Sequence, residues 1–254
     1  MKFVYRPLVI LVIILKYYSS FCQTVQLSDS GGISVYLTFD DGPRVESHYL
    51  DSVIWKDSIP LSVFLIGARV VATKEMQQRL VLYKSQPLFS IGNHSYTHAS
   101  DHYRLYYAAP EKVVEDITRN EDTLHLSGRI ARLPGRNTWR ISGRRRTDLP
   151  DAGPAADSLE KLGYAVVGWD LEWRFDTSLC RYYSAAEMAD HIKQVVRMKS
   201  SFEKNHIVVL CHDWALTDEF FRQQLFRFIA DIRTSKAIKF ARISVYPGIH
   251  RGFD

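Results

Sequence analysis

Cysteine is scarce in this chain, with three residues among 254, too few for a disulfide framework, so stability has to come from a packed apolar core. Cys22 falls in an N-terminal segment treated below. Cys180 and Cys211 could form one bridge, but sequence does not place them within bonding reach, and Cys211 sits in an apolar run typical of a buried free thiol. Linkers are missing too. No Gly/Ser-rich or Pro-rich stretch and no repeat of fixed period interrupts the chain, which argues against a string of domains or a solenoid. The unbroken apolar run Leu8 to Leu15 is well short of the ~20 residues that span a bilayer. What is present is ordinary for one globular domain: 46% of residues are hydrophobic and 24% charged.

That apolar run follows Lys2 and Arg6 and precedes Ser20-Phe21-Cys22, the layout of an export signal cleaved before Gln23. Phe21 is too bulky for the usual lipid attachment at Cys22. The expectation is a signal over residues 1–22, one domain over 23–254, and an exported product, secreted or periplasmic. Membrane contact would then come only through the signal, if it stays uncleaved. Taking Lys2, Arg6 and Lys16 away from a net charge of +5 leaves +2, so the basic balance belongs largely to the signal and does not point to a nucleic-acid partner. Arg144-Arg145-Arg146 is a local exception, readable as a solvated loop or as a contact for an anionic polymer.

Beyond residue 22, short β-rich runs alternate with segments of helical period. Strands are expected at Ile33 to Phe39, Ser62 to Ile66, Leu88 to Ile91, Ile130 to Leu133, Tyr164 to Gly168, Ile207 to Leu210 and Ile238 to Ile243. Helices are expected around Ser47 to Lys56, Thr73 to Lys84, Pro110 to Leu126, Ala155 to Leu162, Ala185 to Phe202 and Asp218 to Thr234. Pro110 followed by Glu111 suits a first helical turn. The alternation gives a parallel α/β architecture, either a barrel or an open doubly wound sheet, which periodicity does not separate. In both, ligands bind beyond the C-terminal ends of the strands.

Those ends read Asp40-Asp41-Gly42-Pro43, then Asn93-His94-Ser95-Tyr96-Thr97-His98, then Arg132-Leu133-Pro134-Gly135, then Trp169-Asp170-Leu171-Glu172-Trp173, then His212-Asp213. Five polar clusters at one edge of a sheet are unlikely by chance. A four-residue spacing would place His94 and His98 on one side of a helical turn, near enough to share a metal ion. Two acids closing an apolar strand are costly unless used, and strand alternation prevents Asp40 and Asp41 from pointing the same way. One would complete a two-His, one-Asp metal set and the other would serve as a base. His212 emerges at the same edge, and an unperturbed imidazole, titrating near about 6.5, suits proton transfer to a leaving group. Arg132 near Asp40 could orient that carboxylate as its counter-ion.

These motifs resemble the polysaccharide deacetylases with a NodB homology domain, carbohydrate esterase family four. Thr38-Phe39-Asp40-Asp41-Gly42-Pro43 is similar to that family's first motif and His94-Ser95-Tyr96-Thr97-His98 to its second. The resemblance runs from Ile33 to Ile243. It implies a distorted parallel (β/α) barrel of about seven strands and a divalent metal, zinc-like, on Asp41, His94 and His98. It implies Asp40 as base, Arg132 as its tether and His212, in Leu210-Cys211-His212, as acid. It also implies an acetylated glycan as substrate, with N- or O-linked acetyl groups removed by hydrolysis.

Two positions depart from the family pattern. Pro134 and Gly135, expected beside the substrate, lack the aromatic usual after the Pro, and Glu172-Trp173 stands where the family pairs an Asp with Trp. Glu172 is therefore the expected partner of His212, with Asp170 as competitor. Trp173 and Trp214 are expected to touch sugar rings, and Tyr103, Tyr106, Tyr107 and Trp139 could also line such a groove. The alternatives are a degenerate carbohydrate-binding homologue and a small-amide hydrolase on the same fold, some of whose members dispense with metal.

Overall fold

A computed structural model describes residues 32–249; the expected signal at residues 1–22 lies outside them. The strands are β1 (Ile33–Gly42), β2 (Leu61–Leu65), β3 (Phe89–Asn93), β4 (Ile130–Ala131), β5 (Thr138–Ile141), β6 (Arg144–Thr147), β7 (Ala165–Val166), β8 (Leu171–Glu172), β9 (Phe175–Asp176), β10 (Arg181–Tyr182), β11 (His206–His212) and β12 (Ile238–Phe240). Between them run α1 (His48–Asp57), α2 (Gly67–Ala72), α3 (Lys74–Ser85), α4 (Tyr103–Tyr107), α5 (Pro110–Leu124), α6 (Gly153–Lys161), α7 (Ala185–Met198) and α8 (Glu219–Arg233).

Each of the expected strands is present, joined in parallel ladders: β1 with β2, β11 and β12, then β2 with β3, β3 with β4, and β4 with β7. The main sheet runs β6-β5-β7-β4-β3-β2-β1-β11-β8. It curls into a half-closed barrel, which is the distorted form expected. Pleating sorts the core. In β1, Val35, Leu37 and Phe39 pack towards the helices with Val63, Leu65, Val209 and Cys211, while Tyr36 faces the barrel interior with Phe64 and Val208.

The open side of the barrel is joined by side chains rather than a ladder. Trp139 on β5 lies flat on Phe202, with ring centroids 4.4 Å apart and planes 9° apart. Arg146 on β6 reaches Asp170, just before β8, at 3.1 Å. The Asp170 carboxylate also accepts the backbone N–H of Phe202 at 2.7 Å and of Val208 at 2.9 Å. This arrangement shortens α7, which ends at Met198 instead of Phe202: Lys199 takes a left-handed φ of 52°, and the following residues turn Phe202 back into the barrel.

The antiparallel hairpin β5–β6 was not expected, because an arginine-rich run does not read as a strand. Its arginines pair with acids: Arg144 with Glu203, Arg145 with Asp157 and Glu160, and Arg146 with Asp170. The cluster thus has a structural explanation that needs no polyanion. Cys180 is exposed and Cys211 buried, both as free thiols. Among the described residues no helix is long and apolar enough to cross a membrane.

Asp170→Ala would leave two backbone N–H groups and a guanidinium without their acceptor. The expected loss is about 2–4 kcal/mol of unfolding free energy, read from urea denaturation; a change under about 0.5 kcal/mol would show that the side-chain closure is unimportant.

Candidate metal centre and active site

Pleating alone would send Asp40 into the barrel beside Thr38 and Asp41 to the helix side. The structure overrides this at Asp41, whose φ is +68°, and the β1–β2 register shifts between Phe39 and Gly42. Asp is among the few non-glycine residues that tolerate this left-handed region. The turn brings both carboxylates to one cleft. The next residue must be glycine, because a Cβ at Gly42 would stand 2.5 Å from Asp213 Oδ2.

The two histidines converge by a different route from the expected helical turn. His94 directly follows β3, and Ser95 and His98 have φ of 65° and 54°. Side chains shape this loop instead of an i→i+4 ladder. Ser95 N–H donates to Asn93 Oδ1 at 2.9 Å, and His98 N–H to Ser95 Oγ at 2.9 Å. Asn120 on α5 fixes Asn93 at 2.8 Å, while Asp116 accepts from Thr97 N–H at 3.1 Å and from its hydroxyl at 2.9 Å.

His94 Nδ1 donates to the Arg132 carbonyl at 2.8 Å. A carbonyl only accepts, so Nε2 is left to face the cleft. It lies 3.5 Å from Asp41 Oδ1, and His98 Nε2 lies 3.0 Å from the same oxygen. The donor atoms of Asp41, His94 and His98 all fall within 4.8 Å of one another. Asp41 Oδ1 is buried and accepts no hydrogen bond among the described residues. A buried carboxylate oxygen without a hydrogen, facing two imidazole nitrogens, suits zinc or a first-row neighbour.

The charges agree. Burial pushes the Asp41 carboxyl up, but His94 and His98 outweigh it and hold it far below the usual carboxylate range. Burial pulls His94 down, and Asp40 and Asp41 outweigh that and raise it. The protons these groups attract are ones that a divalent cation would displace.

Asp40 has the opposite surroundings. The fully buried Arg132 donates from Nη1 to Asp40 Oδ1 and to Thr38 Oγ1, both at 2.8 Å, from Nη2 to the Gly168 carbonyl at 2.9 Å and from Nε to the Val167 carbonyl at 3.2 Å. Its cation lies 4.2 Å from the centre of the Phe64 ring. Asp40 Oδ2 is turned to the cleft, 3.6 Å from His94 Nε2. His212 pairs in register with Asp40 across the β1–β11 ladder, so the two side chains emerge next to each other on the same face.

These groups line a cleft of about 250 Å³ together with Tyr103, Gly135, Trp169, Glu172 and Leu210. Several expected contacts lie elsewhere. Trp173 is buried, donates from its indole to the Tyr183 carbonyl at 2.8 Å and packs edge-on against Phe221 and Phe228, so it belongs to the core. The chain stays extended just past β8, where the Trp173 N–H donates to the Leu210 carbonyl at 2.8 Å, so Glu172 and Trp173 point to opposite sides. Trp139 is barrel interior. Tyr107 is buried with its hydroxyl on the Pro134 carbonyl at 2.7 Å, and Tyr106 donates to Asp116. Pro134 is buried while Gly135 reaches the cleft. Asp170 is committed to the barrel closure and does not partner His212. Glu172 shares the cleft with His212, though no hydrogen bond joins them among the described residues.

Two features escaped the sequence reading. Trp169, held by Asn137 through its N–H at 3.0 Å and its carbonyl at 2.8 Å, is the indole that lines the cleft. Its Trp-Asp-Leu-Glu-Trp setting offered two tryptophans and no means to choose. Asp213, next to His212, accepts a hydrogen bond from Ser47, whose Oγ in turn accepts the Arg44 N–H at 2.8 Å. This brace ties the loop after Asp41 to the end of β11. Burial, reinforced by the Asp41 and Asp40 charges and opposed by Ser47, pushes the Asp213 carboxyl up to about 7.

Because the folded protein keeps a proton on Asp213 that the unfolded chain releases near 3.8, stability falls as pH rises from about 4 to about 7. In chelator-treated protein, Asp213→Asn should flatten that part of the stability–pH curve in chemical denaturation; an unchanged slope would rule out the raised carboxyl.

Residues 28–134 match the sequence pattern of the family described as polysaccharide deacetylase. A putative polysaccharide deacetylase, YheN, of Bacillus subtilis (strain 168) is 26% identical over 195 residues, 77% of this chain and 62% of that protein. A chitooligosaccharide deacetylase of Sinorhizobium fredii is 34% identical over 79 residues, 31% of this chain and 35% of its own. The chain thus spans less than two thirds of either relative. The crystal structure of a polysaccharide deacetylase from Bacillus cereus superposes with a TM-score of 0.56 at 20% identity, covering 87% of this chain and 97% of that one, a likeness of fold. The chain is thus similar to the polysaccharide deacetylases in the sequence that holds both motifs, and its barrel is like theirs in fold.

Proposed function

We propose that the protein is a metal-dependent hydrolase that removes acetyl groups from an N- or O-acetylated polysaccharide. The observation that carries this reading is the division of labour at the end of β1: Asp41 faces two imidazoles, while Asp40 beside it is clamped by Arg132. The glycan class is supported by the names of the relatives, one of which acts on chitooligosaccharides. The run of basic and then apolar residues at 1–22 supports an exported enzyme.

Asp41, His94 and His98 would hold the cation, zinc or a neighbour, which when bound supplies Lewis acidity that polarises an acyl oxygen and eases the ionisation of water. The protein groups do the rest. Arg132 occupies Asp40 Oδ1 and leaves Oδ2 facing the cleft, so that oxygen takes the proton from the attacking water. His212, next to Asp40 across the ladder, returns a proton to the departing amine or alkoxide. Leu210 and Trp169 give the cleft an apolar wall that suits the acetyl methyl. Glu172 is the carboxylate in the same cleft available to orient His212.

Treatment with a chelator should abolish acetate release from an acetylated glycan, and zinc or cobalt should restore it; full activity in metal-free protein, checked by elemental analysis, contradicts the reading. Asp40→Asn and His212→Ala should each lower kcat by roughly 100- to 10,000-fold while metal content stays at wild-type level. Either variant keeping full rate would remove that residue from the mechanism.

A further inference from the structure

Aromatic surface continues past the acid. The Trp214 ring stacks on His212, with centroids 5.2 Å apart and planes at 27°, and is 40% exposed. Tyr182 on β10 lies next, its ring 6.3 Å from Trp214. Phe175 pairs with Tyr182 across the β9–β10 hairpin, their rings 5.4 Å apart and edge-on, and it too is 40% exposed. Tyr182 itself is buried against Phe221 of α8 at 4.9 Å, which fixes the base of the hairpin to the core. Single exposed aromatics need no explanation. These two are joined through a buried ring to a residue of the cleft.

We propose that Trp214 and Phe175 form an outer glycan subsite that runs from His212 along the β9–β10 hairpin and holds sugar rings of the polymer beyond the one being deacetylated. The inference rests on the deacetylase reading above. The occupant is a carbohydrate for two reasons. The row of rings starts on His212, which lines the cleft, so a polymer that leaves the cleft on that side meets Trp214 and is directed towards the hairpin. The rings also have polar neighbours: the exposed Arg174 precedes Phe175, and Asp176 accepts the N–H groups of Ser178 and Leu179 to make a tight tip on which Leu179 is 49% exposed, a mixture that suits hydroxyl groups beside an apolar pyranose face.

Phe175 touches neither the metal ligands nor the acid, so Phe175→Ala separates this subsite from catalysis. With zinc-loaded protein, it should lower kcat/KM on a long chitooligosaccharide roughly 3- to 10-fold through KM, the fold-change of one aromatic face contact. The rate on the shortest accepted oligomer should be unchanged, and Phe175→Tyr should restore the long one. Binding of a long glucosamine oligomer without acetyl groups, followed by calorimetry, should weaken by the same factor and reads the subsite without turnover. Equal losses on short and long oligomers, no loss on either, or no binding of the deacetylated oligomer by the unmutated protein would each overturn the subsite. So would association with anionic phospholipid vesicles that Phe175→Ala abolishes while oligomer kinetics stay the same. Absence of acetate release from every acetylated glycan would refute the deacetylase reading instead, with the binding measurement still deciding the subsite.

Discussion

A guanidinium sealed inside the barrel organises everything around it. Arg132 has no exposed surface, and its hydrogen-bond partners come from β1 and the loop after β7, while its own carbonyl orients His94. A buried cation is tolerated only when its donors are met, so the loop carbonyls of Val167 and Gly168, the Thr38 hydroxyl and the Asp40 carboxylate must all sit where they do. One residue thereby fixes the Asp40 carboxylate, aligns the first imidazole and joins two distant strands. Removing it would leave Asp40 buried without a partner, a fault in folding and in chemistry together.

The same economy appears at the other loops. Asn93 and Asp116 shape the histidine loop by accepting its N–H groups, Asn120 donates to Asn93 to hold it in place, and Ser47 with Asp213 ties the two ends of the cleft. Such buried polar networks are costly if half satisfied and rigid when complete. The site is consequently held by side-chain hydrogen bonds from neighbouring elements, and its loops need no regular secondary structure.

Much of this was legible before any coordinates. The alternation of apolar runs and helical segments marks every parallel strand except β8, because β1, β2 and β11 are long enough for pleating to leave a pattern. The family motifs point to the residues proposed as ligands and to both proposed proton-transfer groups, which the structure brings to one cleft. The rest fails for particular reasons. β8 is two residues long, so nothing in Leu171-Glu172-Trp173 shows that Trp173 turns into the core and leaves Trp169 to line the cleft. β6 is hidden by its charge, since Arg144, Arg145 and Arg146 satisfy acids that lie far away in the chain. The spacing of His94 and His98 suggests a helix, whereas the backbone reaches the same convergence through left-handed residues at Ser95 and His98.

The ladder that sets Asp40 against His212 joins residues from opposite ends of the described chain, and this separation has a temporal meaning. A chain emerging from its N-terminus has Asp40, Asp41, His94 and His98 once residue 98 is made, but acquires His212 more than a hundred residues later. Contacts of such sequence separation form late, after loop closure has been overcome. Synthesis therefore delivers every residue proposed to hold a cation well before the residue proposed to return the proton, and the Arg132 carbonyl that orients His94 comes between them.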